Sequence, residues 1–469
     1  LPTQNVGNFS FWGVGLTDRQ EMVAVDSSLW ISNFDRDNSQ TSLYMYATGV
    51  SHKMALNSKL FINTTLSATG NGLSHQEQRL DYELQAHDQS GAESQTWRYS
   101  LQSSLGLRLS KQHSNHSGFT YSTLGYDVDI EQSQAEGGAP IKVAQREGNS
   151  GLLQVYTQSK LQLSSKLSMN VGVNAQYLML NEKGSIQPRA GFKYNIDDKR
   201  SLALAYGRHS RIERLPVYFV DIAGVQPNKN LDLQTADHLV LAYNIKLNDQ
   251  MRVCVEPYYQ RLNNIPVSPT DYFSTINMRS DIFFNRELVS EGSGRNVGVD
   301  LTVERSISNG FYYLMTASLF DANYTDAQGV TRSTRFNKNY VVNGLMGKEW
   351  VVGKDKNNLL SVNGRFNYLG GNRKETIDQQ ASMLAQDVVY AETGGQESFA
   401  DRHDDMPIIS FTVSYRKNKP SYSSVWSLQV LNATAAKEYS NDWVDLRSGK
   451  VETKYEGIMV PNLSYKIQF

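Results

Sequence analysis

The sequence predicts an all-β chain that folds as a large transmembrane antiparallel β-barrel. Three observations carry this prediction: apolar and polar residues alternate in segment after segment, short turns alternate with long polar stretches, and the chain ends on an amphipathic strand. No stretch reaches the roughly 18 apolar residues that a membrane-spanning helix needs, whereas a barrel strand needs only about 9 to 11 residues. The interpretation is a single barrel domain over residues 1–469.

The last strand is the most informative element. Leu463, Tyr465, Ile467 and Phe469 alternate with polar residues up to the final position. Because successive side chains of a strand point to opposite faces, one face of this strand would meet lipid and the other water. A carboxyl-terminal aromatic strand of this kind is what the outer-membrane insertion machinery recognises. We predict that these four residues form an insertion signal and that the protein lies in a bacterial outer membrane.

The interior strands repeat this pattern. The cleanest example covers residues 167–179, where polar residues separate Leu167, Met169, Val171, Val173, Ala175, Tyr177 and Met179. A period of two over such a length indicates a strand rather than a helix. Similar alternation occurs at residues 239–247, 297–303, 360–368 and 409–415.

The connections predict the orientation of the barrel. Short polar turns fall at residues 164–166, 197–199, 248–250, 308–310 and 417–421. Long polar stretches cover residues 70–96, 131–150, 211–232, 268–295, 371–405 and 433–457. Outer-membrane barrels have short periplasmic turns and long extracellular loops, so we assign the long stretches to the cell exterior.

Counting back from Phe469 gives about nineteen strands, the first near residues 7–17. Single-chain bacterial barrels have an even number of strands, and the largest common transporter type has 22. We therefore expect that about three strands and the plug that fills such a barrel are absent from this chain and belong to an amino-terminal segment. Strand direction alternates along an antiparallel sheet, so the first and last of nineteen strands run in the same direction. Counting back from the last strand therefore predicts that the first strand starts at the extracellular end.

Composition excludes several classes of function. The chain has 46 basic and 47 acidic residues, a net charge of -1, so nothing indicates a nucleic-acid partner. The single cysteine, Cys254, excludes an internal disulfide framework and is interpreted as an inert strand residue.

Enzymatic motifs are missing as well. The sequence has neither a Gly-x-Ser-x-Gly elbow nor a His-Glu-x-x-His motif. His209 precedes Ser210, but neighbours in a strand face opposite ways and are poorly placed for proton transfer. We therefore predict no catalytic residues and no cofactor, and an outer-membrane barrel enzyme is the least favoured class.

Several charged and aromatic residues are candidates for binding. Arg208, His209, Arg211 and Arg214 could contact an anionic ligand or the carboxylates of a plug, while Tyr272 and Phe273 could stack on a ligand or pack their own loop. His403 lies among Asp401, Asp404 and Asp405, which suggests either a divalent-cation site or a solvated loop end. The absence of regular ligand spacing favours the loop end.

Six segments carry a resemblance to a known family. They are residues 206–219, 230–243, 256–267 (EPYYQRLNNIPV), 334–350, 364–373 and 426–434 (WSLQVLNAT). In this order they resemble the barrel of TonB-dependent receptors from the Bacteroidota. The first 130 residues resemble the family only in their general pattern and contain none of these segments.

The resemblance implies a ligand-gated transporter that is blocked by an amino-terminal plug and driven by TonB. It also implies several partners: the plug-bearing segment, TonB acting through that segment, lipopolysaccharide and outer-membrane lipid, and a surface lipoprotein that caps the barrel. The alternative is a structural or scaffold barrel in an outer-membrane complex that carries out no active transport.

Overall fold

The computed structural model describes residues 2–3, 6–134, 137–278, 283–391 and 398–469, with the backbone alone for 2–3. The main sheet contains twenty strands: β1 (Pro2–Thr3), β2 (Gly7–Met22), β3 (Asp37–Ala55), β4 (Leu60–Leu80), β5 (Ala86–Arg108), β6 (His113–Gln132), β7 (Ile141–Gln162), β8 (Leu167–Leu178), β9 (Lys183–Asn195), β10 (Arg200–Arg211), β11 (Gln234–Lys246), β12 (Met251–Val267), β13 (Val289–Ser308), β14 (Phe311–Thr325), β15 (Thr331–Ser333), β16 (Tyr340–Val352), β17 (Asn358–Leu369), β18 (Met406–Asn418), β19 (Ser423–Leu431) and β22 (Val460–Gln468). Strands β20 (Glu438–Asp445) and β21 (Lys450–Glu456) form a separate hairpin between β19 and β22. The two short α-helices are α1 (Leu215–Tyr218) and α2 (Gln379–Ala385).

The main sheet confirms the predicted fold class. Its strands are antiparallel, and each long strand pairs with its neighbours in sequence, as in an up-and-down barrel. In the described part of the chain, eighteen of its twenty strands have nine residues or more. The protein is a large antiparallel barrel wall.

The two faces of the wall differ in polarity. On the outward face Val413 lies between Val362 and Leu428 of the adjacent strands. The inward face carries polar residues at the neighbouring position, with Thr412 between Asn363 and Gln429. Leu463 and Tyr465 of β22 continue the outward apolar face, since they pair with Leu428 and Trp426. The alternation seen in the sequence thus separates a lipid-facing surface from a polar interior.

The sheet has two edges where its first and last long strands lie. Within the described residues, β2 pairs only with β1 and β3, and β22 pairs only with β19. Contacts between the long loops join these two regions instead. The Leu446 N–H donates to the Ile31 carbonyl over 2.9 Å, and the Asn33 amide donates to the Gln386 carbonyl over 2.7 Å.

The prediction that the first strand starts at the extracellular end is wrong. Asn8, near the start of β2, pairs with Lys53, which lies beside the short turn at residues 56–59. The same end of the wall holds the end of β22. Strand direction alternates along an antiparallel sheet, so a count of eighteen long strands instead of nineteen reverses the direction of the first.

Two predicted long loops are also wrong. Most of residues 70–96 belong to β4 and β5, with a turn only at residues 81–85, and more than half of residues 131–150 belong to β6 and β7. The reason is that β4 to β7 have 20 to 23 residues each and extend beyond the apolar band. The outward face of the strands meets water instead of lipid there and carries polar residues, so the apolar alternation that marks a strand disappears. The predicted short turns are all present, as are the long connections near residues 212–233 and 370–405.

Candidate functional site

Arg208 lies on the outward face of the wall. Its Nε and Nη2 atoms each donate to the Asp237 carboxylate over 2.8 Å. The Tyr206 hydroxyl donates to the same carboxylate over 2.7 Å. Tyr206 continues the apolar outward row of Leu202 and Leu204, which shows that this ion pair faces away from the lumen.

His209 and Ser210 form separate contacts. The His209 ring lies 4.9 Å from the His238 ring, on the inward side of β10 and β11. The Ser210 hydroxyl instead bonds to Ser185 and accepts from the Gln187 amide. The structure therefore does not assemble a serine–histidine pair at this position.

The loop at residues 212–233 folds into the barrel. Helix α1 begins with Pro216 in its first turn, where the missing N–H of proline leaves no donor unpaired. Val217, Tyr218 and Phe219 are almost fully buried, and the Phe219 ring lies 4.4 Å from that of Tyr126. The complete cluster comprises Leu124, Tyr126, Leu152, Leu178, Val217, Tyr218, Phe219, Leu231 and Leu288. The apolar run at residues 215–220, within a polar stretch, is the signal from which sequence analysis could have found this anchor.

Glu213 is the central charged group of the same loop. Its side chain is 4% exposed, and its carboxylate lies 3.8 Å from Nη2 of Arg211. Thr275 donates to this carboxylate over 3.4 Å, while the Glu213 backbone N–H donates to the Tyr218 hydroxyl over 3.1 Å. Burial raises the pKa of Glu213, against the opposing effect of Arg211, and raises the pKa of Tyr218 to about 12. Arg211 is thus a structural partner of a buried carboxylate that sequence analysis did not single out.

A pH dependence of this loop follows. Because the pKa of Glu213 is raised in the folded loop, the folded loop binds the proton more tightly than the opened loop does. Its stabilisation is present below the ordinary glutamate pKa and is lost as pH rises through the folded-state pKa. Amide hydrogen exchange of residues 212–220, corrected for intrinsic rates, should therefore show weaker protection as pH rises. The Glu213→Gln variant should lose this dependence, and a dependence that persists in it would assign the effect to another group.

Tyr272 and Phe273 occupy different environments. Tyr272 is buried, its ring lies 6.0 Å from that of Phe399, and burial raises its pKa to about 12. Phe273 stacks on Phe284 at 5.5 Å and lies 5.1 Å beneath the Arg286 guanidinium. Tyr272 therefore packs its own loops.

Both residues line a cavity of about 340 Å³ between the long loops. The cavity walls also include Arg335, whose guanidinium pairs with Glu375, and Arg286, which pairs with Asp271 over 2.7 Å. The cavity therefore combines aromatic faces with ion pairs at the extracellular end.

His403 is buried. Its ring stacks on Tyr439 at 3.8 Å, and its Nδ1 lies 3.2 Å from the Tyr455 hydroxyl. The neighbouring Asp405 accepts hydrogen bonds from the hydroxyls of Tyr340 and Tyr368, which lower its pKa. Within the ranges that the structure describes, no group of three His, Cys, Asp or Glu residues is arranged to hold a metal ion. His403 and Asp405 anchor the loop to hairpin β20–β21 and to the wall.

These features define a class of protein: an outer-membrane β-barrel with an apolar outside, a polar inside and folded extracellular loops. No helix within the described residues is both long and apolar enough to cross a membrane. The family described as TonB dependent receptor-like, beta-barrel matches residues 3–447. The chain belongs to this family.

Solved structures share the fold at low sequence identity. The ferric yersiniabactin uptake receptor FyuA of Yersinia pestis is 9% identical, with a TM-score of 0.69, and the match covers 99% of this chain and 69% of the FyuA chain. The ferric-catecholate import receptor Fiu of E. coli K12 is 10% identical, with a TM-score of 0.65, and the match covers 98% of this chain and 72% of the Fiu chain. A chain of the RagAB peptide importer is 11% identical, with a TM-score of 0.55, and the match covers 85% of this chain and 59% of the RagAB chain. No curated protein matches the sequence significantly.

Proposed function

We propose that this chain is the barrel of a TonB-dependent transporter, of the type found in Bacteroidota, that takes up a ligand through the outer membrane. The energy would come from TonB through a plug carried by an amino-terminal segment, which would also supply the remaining strands. The family match over residues 3–447 is the observation that carries this proposal. Fiu is a ferric-catecholate import receptor, FyuA a ferric yersiniabactin uptake receptor and RagAB a peptide importer, so the proposal names no ligand class.

The inward face at the short-turn end supports the presence of a plug. A concave region of about 600 Å³ is lined by Lys193, Lys199 and Lys246, none of which has an ion-pair partner within the described residues. Asp197, on the same surface, already pairs with Arg200. An acidic polypeptide surface inside the barrel would neutralise these lysines, as a plug does in the proposed arrangement.

The long-loop end supports binding of a ligand. The cavity between Phe273, Phe284 and Arg286 offers aromatic and cationic groups on loops that are held by a rigid wall. A surface lipoprotein that covers these loops belongs to the proposal, because the family resemblance implies one. Of the residues predicted to contact ligand or plug, His209 lies on the inward face. The contact roles of all six stay predictions: Arg208, His209, Arg211, Arg214, Tyr272 and Phe273.

Charge reversal of the lysines tests the plug contact. In the full-length protein, Lys193→Glu/Lys199→Glu/Lys246→Glu should loosen an acidic plug and raise passive entry of a large antibiotic about tenfold. The matched control is Lys354→Glu/Lys356→Glu/Lys419→Glu, which changes the same number of charges in turns at the same end of the barrel. Equal antibiotic sensitivity in both variants would contradict a plug contact at this surface.

Uptake itself is tested by genetics. Strains that lack the full-length gene should lose growth on one nutrient within a screened panel, and removal of TonB should cause the same loss. Phe273→Ala should weaken ligand binding, whereas Phe336→Ala, an exposed residue of another loop, should not. If neither the gene deletion nor the removal of TonB affects growth, and the gene deletion instead causes a co-purifying complex to be lost, the scaffold alternative would be supported.

A further inference from the structure

The outward face carries a charged row at the upper boundary of its apolar band. In strands β10 to β13, Tyr206, Leu239, Tyr259 and Val297 lie side by side in direct register. The next outward position towards the long loops is charged in each of the four strands. It holds Arg208, Asp237, Arg261 and Arg295, again in direct register. This row therefore lies where hydrocarbon gives way to headgroups.

The charges within this row do not balance. Both oxygens of Asp237 accept from Arg208, and one also accepts from Tyr206. Arg261 has no hydrogen bond or ion pair within the part of the chain that the structure describes, although it acts electrostatically on Asp237. Arg295 approaches Asp321 only to 3.5 Å, and Asp321 already accepts from Asn337 over 2.9 Å. Arg261 is thus left without a direct acidic partner, and Arg295 shares its partner Asp321 with Asn337.

Arg261 and Arg295 are also direct cross-strand partners. Side chains at such positions start about 4.5–5.5 Å apart, and like charges there destabilise a sheet unless an anion lies between them. Both side chains are exposed on the lipid-facing surface. Guanidinium groups bind phosphate oxygens through paired hydrogen bonds. Two exposed guanidinium groups on adjacent strands at this level therefore suit one phosphate of a lipid headgroup.

We propose that Arg261 and Arg295 bind the phosphate of a glycolipid of the outer leaflet, lipopolysaccharide, with its acyl chains lying along the apolar band below. Tyr206, Leu239, Tyr259 and Val297 form the upper part of that band. Arg208 and Asp237 close one side of this site as a neutral pair. The cationic element is then Arg261, which has no ion pair within the described residues, together with Arg295, whose partner Asp321 also accepts from Asn337. The site lies outside the lumen and is independent of the transport proposal.

The test uses the full-length protein purified in mild detergent, with lipid A as the probe. The Arg261→Gln/Arg295→Gln variant should bind lipid A at least tenfold more weakly than the wild-type protein. The control Arg365→Gln/Arg416→Gln removes two inward-facing arginines and should change the Kd by less than twofold. Heat-modifiable migration in gels verifies that each variant is folded.

Lipid A stripped of its phosphate should bind the wild-type protein no better than intact lipid A binds the double variant. Equal affinity of the wild-type protein and the double variant for intact lipid A would overturn the site. Binding that is unaffected by removal of the phosphate would overturn the assigned chemistry. Phosphatidylglycerol or inorganic phosphate binding as tightly as lipid A would overturn the assignment to a glycolipid.

Discussion

The Val413→Lys variant should be destabilised by about 2–4 kcal/mol in lipid vesicles, the cost of a lysine at the middle of the lipid-facing surface. Val413 lies centrally in β18 between Val362 and Leu428, so its replacement would place an ammonium group among apolar neighbours. Reversible denaturant unfolding of the full-length protein in vesicles measures this change in the free energy of unfolding.

Thr412→Lys is the matched control. It introduces the same charge one residue away, on the inward face between Asn363 and Gln429, where water or a polar occupant can solvate it. We expect its effect on the free energy of unfolding to stay below about 1 kcal/mol, as for substitutions that meet polar surroundings. Equal destabilisation by the two variants would mean that the assigned faces of the wall are wrong.

The Phe219→Ala variant should release the inward-folded loop. Phe219 is 1% exposed and packs against Tyr126 on the inner wall, so its truncation leaves a cavity that costs about 3–5 kcal/mol. The loss should appear in the opening free energy of the loop, because the strands are held independently by their hydrogen-bonded ladders. Hydrogen exchange of residues 215–220 measures it.

Ile222→Ala, in the same loop, is the control, since Ile222 is 40% exposed and its truncation creates no buried cavity. Protection within β6 and β8 should persist in both variants. Loss of protection throughout the wall in Phe219→Ala would show instead that the loop is part of the global folding unit.

The inward-folded loop also matters for any passage through the barrel. It covers the inner faces of β6 to β8, where an apolar cluster, the Glu213 contacts and a backbone hydrogen bond from Asp221 to the Val143 carbonyl hold it. A motion that widens the lumen on this side must break those contacts. Phe219→Ala and Glu213→Gln therefore act on the same element, one through packing and one through charge.

Much of the wall was predictable from local pattern. Strand β8 was expected at residues 167–179 and spans Leu167–Leu178, and the turns at residues 197–199 and 248–250 lie between the strands as predicted. Such patterns are readable because each position in a spanning strand meets either lipid or a polar interior. Where strands extend into water, as in residues 70–96, the pattern disappears and the prediction of a loop was wrong.

The candidate sites were less predictable. Arg208 and His209 are adjacent in sequence, yet one lies outside the wall and the other inside. His403 looked like either a cation ligand or a solvated residue, but it packs on Tyr439, which follows it by 36 positions. Glu213 gave no signal in the sequence, because its burial depends on Thr275 of another loop.

The sequence by itself determined the fold class, the alternation of lipid-facing and inward-facing residues along the strands, and the family. These depend on short-range alternation and on segments that match the family in order. Only the tertiary structure decided the direction of the first strand, the inward course of the loop at residues 212–233 and the pairing of Arg261 with Arg295. The physical reason is register: strand pairing places residues more than thirty positions apart side by side, and their contacts depend on the whole sheet rather than on any one segment.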